Sequence, residues 1–388
     1  MNWTLPTHSW FCLLMAFAFA CAARASELPV MEGEQRVGTV RYDAAQAGNA
    51  AQAAYILAIS ESVLAARRSL AAMEWPLSRQ PTAFVIEVAD LGADRLGLTT
   101  IDGRVRVTTC ERLADPGEDF RPRLKATVAH EYLHLCQYAC WSDLTEAREP
   151  LFLWWMEACA IWFEHRVAPR DRATGRKMLT YEDAVPEARG AHGRAGLESA
   201  TAGSSLGYCY APLAFVLARG YGPKFLARTW LRLADRQHRP LSAVQAIEAT
   251  LAENAAGPVR SRFDTLFREY ALFMMSPRSQ FLRDELGLDV LQEEHLAANT
   301  GELALPGWSF RVIAPRAGEL VAARASAADG LRAYWIGVQG DRESVQRIDG
   351  QESLAFSRDS GWLVLVNASP RECRTRVTLG SLAAAVGE

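Results

Sequence analysis

Apolar positions recur along this chain with two different periods, and the change from one to the other organises it. Over 50–73, Ile56, Ile59, Val63 and Leu70 fall on one face of a 3.6-residue repeat, which predicts a long helix. Before it, RVGTVRY (36–42) alternates weakly and predicts a first strand. After it, AFVIEV (83–88) follows Pro81 and predicts a second. Segments 98–101 and 104–109 flank Asp102-Gly103 and predict a hairpin, because glycine supplies the positive φ that a tight turn demands. The helical period then returns. Asp119 is the expected N-cap, with Pro122 in the first turn, of a helix running through Leu124, Val128, His130 and His134 to about Tyr138. Pro150 opens another, through Trp155 and Glu157 to about His165, and further helices are expected at 211–218, 223–234, 242–253 and 259–275. Between them, 171–207 breaks every period. Gly190, Gly193, Gly196, Gly203 and Gly207 lie there among small and polar residues and predict a long irregular loop, of a kind that often covers a site.

From Trp308 onward the period shortens to two. The runs SFRVI, ELVAARA, LRAYWIGV, SVQRI, GWLVLVN and RVTLG are separated by Gly, Pro, Asp and Ser at roughly ten-residue spacing, the pattern of a small β-sandwich. A domain boundary is expected near residue 300, with 26–298 before it and 299–388 after it. At the other end, WFCLLMAFAFACA (10–22) is an unbroken apolar stretch too short to span a bilayer comfortably. Ala23-Arg24-Ala25 follows it in the small-x-small pattern of a cleavage site. Residues 1–25 are thus expected to be a signal peptide, and the mature chain to be secreted or periplasmic; lipidation at Cys21 is the alternative. No later apolar run reaches about 18 residues, so no transmembrane span is expected in the mature chain.

Composition narrows the field of partners. The 388 residues are 49% hydrophobic and 22% charged, which is globular, and a net charge of −3 speaks against a nucleic-acid-binding surface. Six cysteines follow residue 25. An even number in an oxidising compartment permits disulfides. Cys136 and Cys140 stand four apart on a predicted helix, a spacing awkward for a mutual bridge and wrong for a zinc knuckle, so the cysteines are expected to be buried apolar groups or bridges rather than ligands.

The chemistry concentrates in His130-Glu131-Tyr132-Leu133-His134. Residues four apart on a helix share a face, so both imidazoles reach one metal ion, and Glu131, about 100° round the helix, flanks that ion where it can take a proton from water. Leu124, Val128 and Leu135 make the helix apolar, and two histidines and a glutamate buried there without partners would be costly. The expected third ligand is Glu157, a carboxylate set among Phe152, Leu153, Trp154, Trp155, Ile161, Trp162 and Phe163.

HEYLH followed by WWMEACAIWFE resembles the gluzincin metallopeptidases, in which two histidines and a downstream glutamate bind zinc. It is similar in particular to an uncharacterised family of secreted bacterial metalloproteases with an HE-aromatic-x-H-x-x-Gln helix, on which Gln137 falls, a Trp-x-x-Glu helix and a β-rich C-terminal domain. The resemblance covers about 36–222. It implies an α+β chain: a thermolysin-like, mostly helical catalytic domain with a small N-terminal sheet, then the β-sandwich. It implies one zinc ion per chain on His130, His134 and Glu157, Glu131 as general base, and a peptide or protein substrate. Glu164, seven residues past Glu157, matches a second glutamate of aminopeptidase-N-like gluzincins and would accept the N–H of a ligand histidine. Tyr210 resembles the tyrosine that donates to the oxyanion in those enzymes, with Tyr208 two residues away as the alternative, and His192 in the glycine-rich loop as a further one. No Gly-x-Met-Glu-Asn stretch, which in those enzymes holds a substrate amino terminus, precedes the zinc helix, so an endopeptidase is expected. The hairpin at 98–109 would offer an edge strand to an extended peptide. A noncatalytic binding protein on a peptidase scaffold, and a zinc hydrolase of a non-peptide bond, are the other expectations.

Overall fold

In the computed structural model the alternating segment at 36–42 is part of strand β2 (Gln35–Asp43), which pairs antiparallel with β1 (Ala25–Glu32). The structure describes residues 25–43, 50–76, 84–92, 95–113, 119–140, 152–169, 196–197, 203–235, 242–254, 262–275, 300–313, 321–322, 324–325, 330–339, 342–348, 355–356 and 361–378. These make an α+β protein. They belong to two compact units, the described parts of Met1–Arg68 with Arg79–Ala139, and of Ser69–Ser78 with Cys140–Glu388.

The first unit is built on a five-stranded mixed sheet in the order β1-β2-β3-β5-β4, where β3 is Phe84–Val88, β4 is Gly97–Thr99 and β5 is Arg104–Val107. β2, β3 and β5 run parallel, which requires crossover connections, and α1 (Ala50–Ala72) lies in the first of them with Ile59, Val63 and Ala66 wholly buried. The β4–β5 hairpin turns at Gly103, whose φ of 80° explains the Asp-Gly pair. Its outer strand, β4, is three residues long and stands at the sheet edge. After the short α2 (Cys110–Leu113) comes α3 (Arg121–Cys140), capped where the Asp119 carboxylate accepts the Arg121 N–H at 3.1 Å. Tyr132 of α3 meets the Phe84 ring edge-on at 5.2 Å, and its hydroxyl accepts from Arg67 at 3.0 Å. The Phe84 ring occupies the space that a β-carbon would take at Gly38. Every residue from Ala126 to Gln137 is buried, so this stretch of α3 shows no solvent face.

In the second unit α4 (Leu153–Val167) is buried along almost its whole length. It is followed by α5 (Gly203–Cys209), α6 (Ala211–Tyr221), α7 (Lys224–Ala234), α8 (Ala243–Asn254) and α9 (Phe263–Met275). Helix α5 falls in the segment expected to be irregular. Its glycine-rich sequence is a poor helix former, and packing against α4 outweighs propensity: a β-carbon at Gly207 would collide with Glu157 Cβ and stand 2.5 Å from the Trp154 carbonyl. Of 171–207 only 196–197 and 203–207 are described; the remainder, with His192, and Pro150 at the expected helix start, lie outside the described residues.

The strands of the second unit are β6 (Thr300–Leu305), β7 (Ser309–Ile313), β8 (Val321–Ala322), β9 (Arg324–Ala325), β10 (Leu331–Gln339), β11 (Arg342–Arg347), β12 (Ala355–Phe356), β13 (Gly361–Asn367) and β14 (Cys373–Thr378). They form antiparallel sheets ordered β11-β10-β13-β7, β6-β14-β9 and β12-β8. Ala333 opposes Leu365 and Trp335 opposes Leu363; these share one core with Leu305 of β6 and with Cys373 and Val377 of β14, so two sheets bury a common face. Asn367, fully buried, donates from Nδ2 to the carbonyls of Leu305, Pro306 and Arg371 and joins β13 to that second sheet. On the opposite face, Phe310 packs edge-on to Phe267 and Tyr270 of α9. β13 is thus covered on both sides, which is why GWLVLVN reads as a continuous apolar run. All six cysteines after residue 25 are thiols, five buried and Cys110 half-buried. Among the described residues no helix is long and apolar enough to cross a membrane.

Candidate metal centre

His130, Glu131 and His134 project from the middle of α3 and are 6%, 7% and 5% exposed. The spacing of four brings the imidazoles one above the other: their rings are 4.5 Å apart at 88°, and the two Nε2 atoms stand 2.9 Å from each other. One turn on, the fully buried Gln137 places Oε1 2.9 Å from His134 Nδ1. An amide oxygen only accepts, so Nδ1 carries the proton and the Nε2 lone pair faces His130. Glu131 turns toward the sheet edge. The Thr99 hydroxyl donates to its Oε2 at 2.7 Å and approaches its backbone carbonyl at 3.0 Å.

On α4, Glu157 and Glu164 are two turns apart and share a face, each 8% exposed. The bare Cα of Gly207 lets α5 lie against the Glu157 side chain. Tyr210, between α5 and α6, is completely buried among Trp154, Phe267 and Tyr270, and its hydroxyl donates to the Trp308 carbonyl at 3.2 Å. Burial, helped by Tyr270 and Cys209, pushes that hydroxyl well above the ordinary tyrosine range. In this geometry the Tyr210 hydroxyl is engaged within the core. Tyr208, two residues earlier, is half-buried.

Among the described residues, His130, His134 and Glu157 are the three whose ligand atoms all lie within 4.8 Å of one another, every one of them buried. Zinc takes histidine nitrogens at about 2.0–2.1 Å and carboxylate oxygens at about 2.0–2.2 Å, so donors round one ion stand roughly 3–4 Å apart. Two imidazoles and a carboxylate so placed fit zinc, and three protein donors leave a tetrahedral ion one open position. His134 Nδ1 is taken by Gln137, so His134 is not the histidine that Glu164 would serve. Sequence reasoning missed Thr99 and Gly97, because nothing in a sequence brings a strand 32 residues upstream to the side of Glu131. The role of Gln137 was legible in principle, since a polar residue three positions after His134 lies on the same face of an apolar helix.

No protein-family model and no curated protein matches this chain. A solved structure of an aminopeptidase N family protein from Idiomarina loihiensis is similar at 11% identity, over 94% of this chain and 70% of that one, with a TM-score of 0.35.

Proposed function

We propose that this chain is a zinc-dependent endopeptidase, exported by its N-terminal segment and acting on peptide or protein substrates. We assign it a thermolysin-like catalytic region and a C-terminal β-sandwich. The observation that carries the reading is the buried donor set of His130, His134 and Glu157, with a carboxylate, Glu131, next in sequence to one of the donors and turned aside from the other. Two imidazoles and a carboxylate buried together are the donor types that zinc takes, and three of them are the protein's share of a catalytic zinc site. When bound, zinc supplies Lewis acidity toward a water molecule and toward the scissile carbonyl.

The chain's own groups do the rest. Gln137 holds the proton of His134 on Nδ1 and so presents Nε2 as a donor. Glu164 accepts the corresponding Nδ1 proton of His130 in this proposal. Glu131 takes a proton from the attacking water, and returns it to the amine nitrogen as the C–N bond breaks. Between the two tyrosines, Tyr208 is the better oxyanion donor: it adjoins Gly207, which touches Glu157, whereas the Tyr210 hydroxyl is spent on Trp308.

The test is a peptide-library digest with and without chelator, beside Glu131→Gln. Wild type is expected to cleave internal bonds and to stop when zinc is removed. Glu131→Gln should keep its zinc and lose about 10²–10⁴-fold in rate, the scale of general-base assistance. Chelator-insensitive cleavage, or none, overturns the reading; an empty digest from a zinc-loaded chain points to a binding protein or to hydrolysis of another bond.

A further inference from the structure

We infer that the edge strand β4 is the cradle of the general base, with Gly97 and Thr99 as positioning residues that set the rotamer of Glu131. The proposal rests on the peptidase reading for the reaction it serves, but its geometry stands within one unit of the fold. Residues 97 and 99 are two apart on a strand and therefore face the same side. Each meets Glu131, by a different kind of contact. Thr99 is 9% exposed and its hydroxyl has one proton to give; the carboxylate Oε2 at 2.7 Å is a closer and stronger acceptor than the Glu131 carbonyl at 3.0 Å. Gly97 contributes by having no side chain: a β-carbon there would stand 2.5 Å from both Cγ and Oε1 of Glu131. One residue pulls the carboxylate onto the strand, and the other leaves room for it to lie there. Glutamate has three side-chain torsions, and a base that samples several rotamers spends little time in reach of the water it must deprotonate. Anchored at its oxygen and its γ-carbon, Glu131 is held for that encounter.

Thr99→Val keeps the shape and removes the hydroxyl; Thr99→Ser keeps the hydroxyl and trims the shape. In the zinc-loaded full chain, Thr99→Val is expected to lower kcat by about 10–100-fold, the scale of one lost charge-assisted hydrogen bond. KM, zinc content and melting temperature should stay near wild type, and Thr99→Ser should restore most of the rate. Gly97→Ala should likewise lower kcat with zinc retained. In crystals of Thr99→Val the Glu131 carboxylate should have left its place against β4. Wild-type kcat in Thr99→Val, equal losses in the Val and Ser variants, or loss of zinc alongside rate each overturn the inference. If wild type cleaves no peptide, the peptidase reading falls separately; the crystals still decide, because an unmoved Glu131 in Thr99→Val refutes the cradle whatever the chain hydrolyses.

Discussion

Gln137 is uncharged, fully buried, and hydrogen-bonded to an imidazole nitrogen that the proposed metal does not need. Its importance lies in which nitrogen it leaves basic. With Gln137→Leu, of similar volume, the His134 proton is no longer directed to Nδ1, and zinc affinity is expected to fall about 10–100-fold, as for other outer-shell partners of ligand histidines. Gln137→Glu keeps an acceptor and should hold zinc at least as well as wild type. Competition titration against a chromophoric chelator measures both, and equal affinities for wild type and Gln137→Leu would deny the residue this role. Some of this chemistry was legible at the residue scale. His130, Glu131 and His134 announce themselves, because helical geometry alone puts them together. The surroundings of Tyr210 were not legible, since a tyrosine at a helix start looks the same in sequence whatever its hydroxyl meets, here the carbonyl of Trp308, 98 residues on. Thr99 and Gly97 were invisible because their partner comes through the pairing of β4 with β5 and the packing of α3, neither of which is local.

Elements with their own punctuation were read well. The Asp-Gly hairpin, the Asp119 cap and the long α1 follow from local rules. Those that exist only through neighbours were not. β1, mostly exposed, exists by pairing with β2. Helix α5 exists by lying on α4, and Gly207 is the point of closest approach. Gly207→Ala improves intrinsic helix propensity by about 1 kcal/mol, and that gain should be lost to overpacking against Glu157 Cβ and the Trp154 carbonyl, which costs about 1–3 kcal/mol. The expected outcome is a lower denaturation midpoint together with reduced zinc content, because the displaced atom belongs to the side chain of a proposed ligand. A denaturant melt and elemental analysis on one preparation test it; a variant more stable than wild type with full zinc would mean that α5 moves off α4 at no cost.

Across the whole molecule, we propose residue 300 as the modular border, and the aromatic packing sets what crossing it costs. Every proposed metal ligand and Glu131 precede the border, so a 26–298 fragment should still bind zinc. It would lack Trp308 and Phe310, which pack on Phe263, Phe267 and Tyr270, and the carbonyl that accepts from Tyr210. Each large side chain left bare forfeits about 1.5–3 kcal/mol, so the fragment should melt well below the full chain and associate through the uncovered face of α9. Light scattering and thermal melts of fragment and full chain measure this; matched melting temperatures would show that the strands contribute nothing to the helices. A last consequence follows from the thiols. A cysteine reacts as its thiolate, and only where a reagent reaches it. Five of the six are buried, and burial pushes the Cys159 thiol up, away from ionisation. Those five thiols are therefore nearly silent toward alkylating and oxidising reagents, and each slow labelling event at one of them records a moment when part of the fold has opened. Inert as chemistry, they make the described fold its own recorder of how often it breathes.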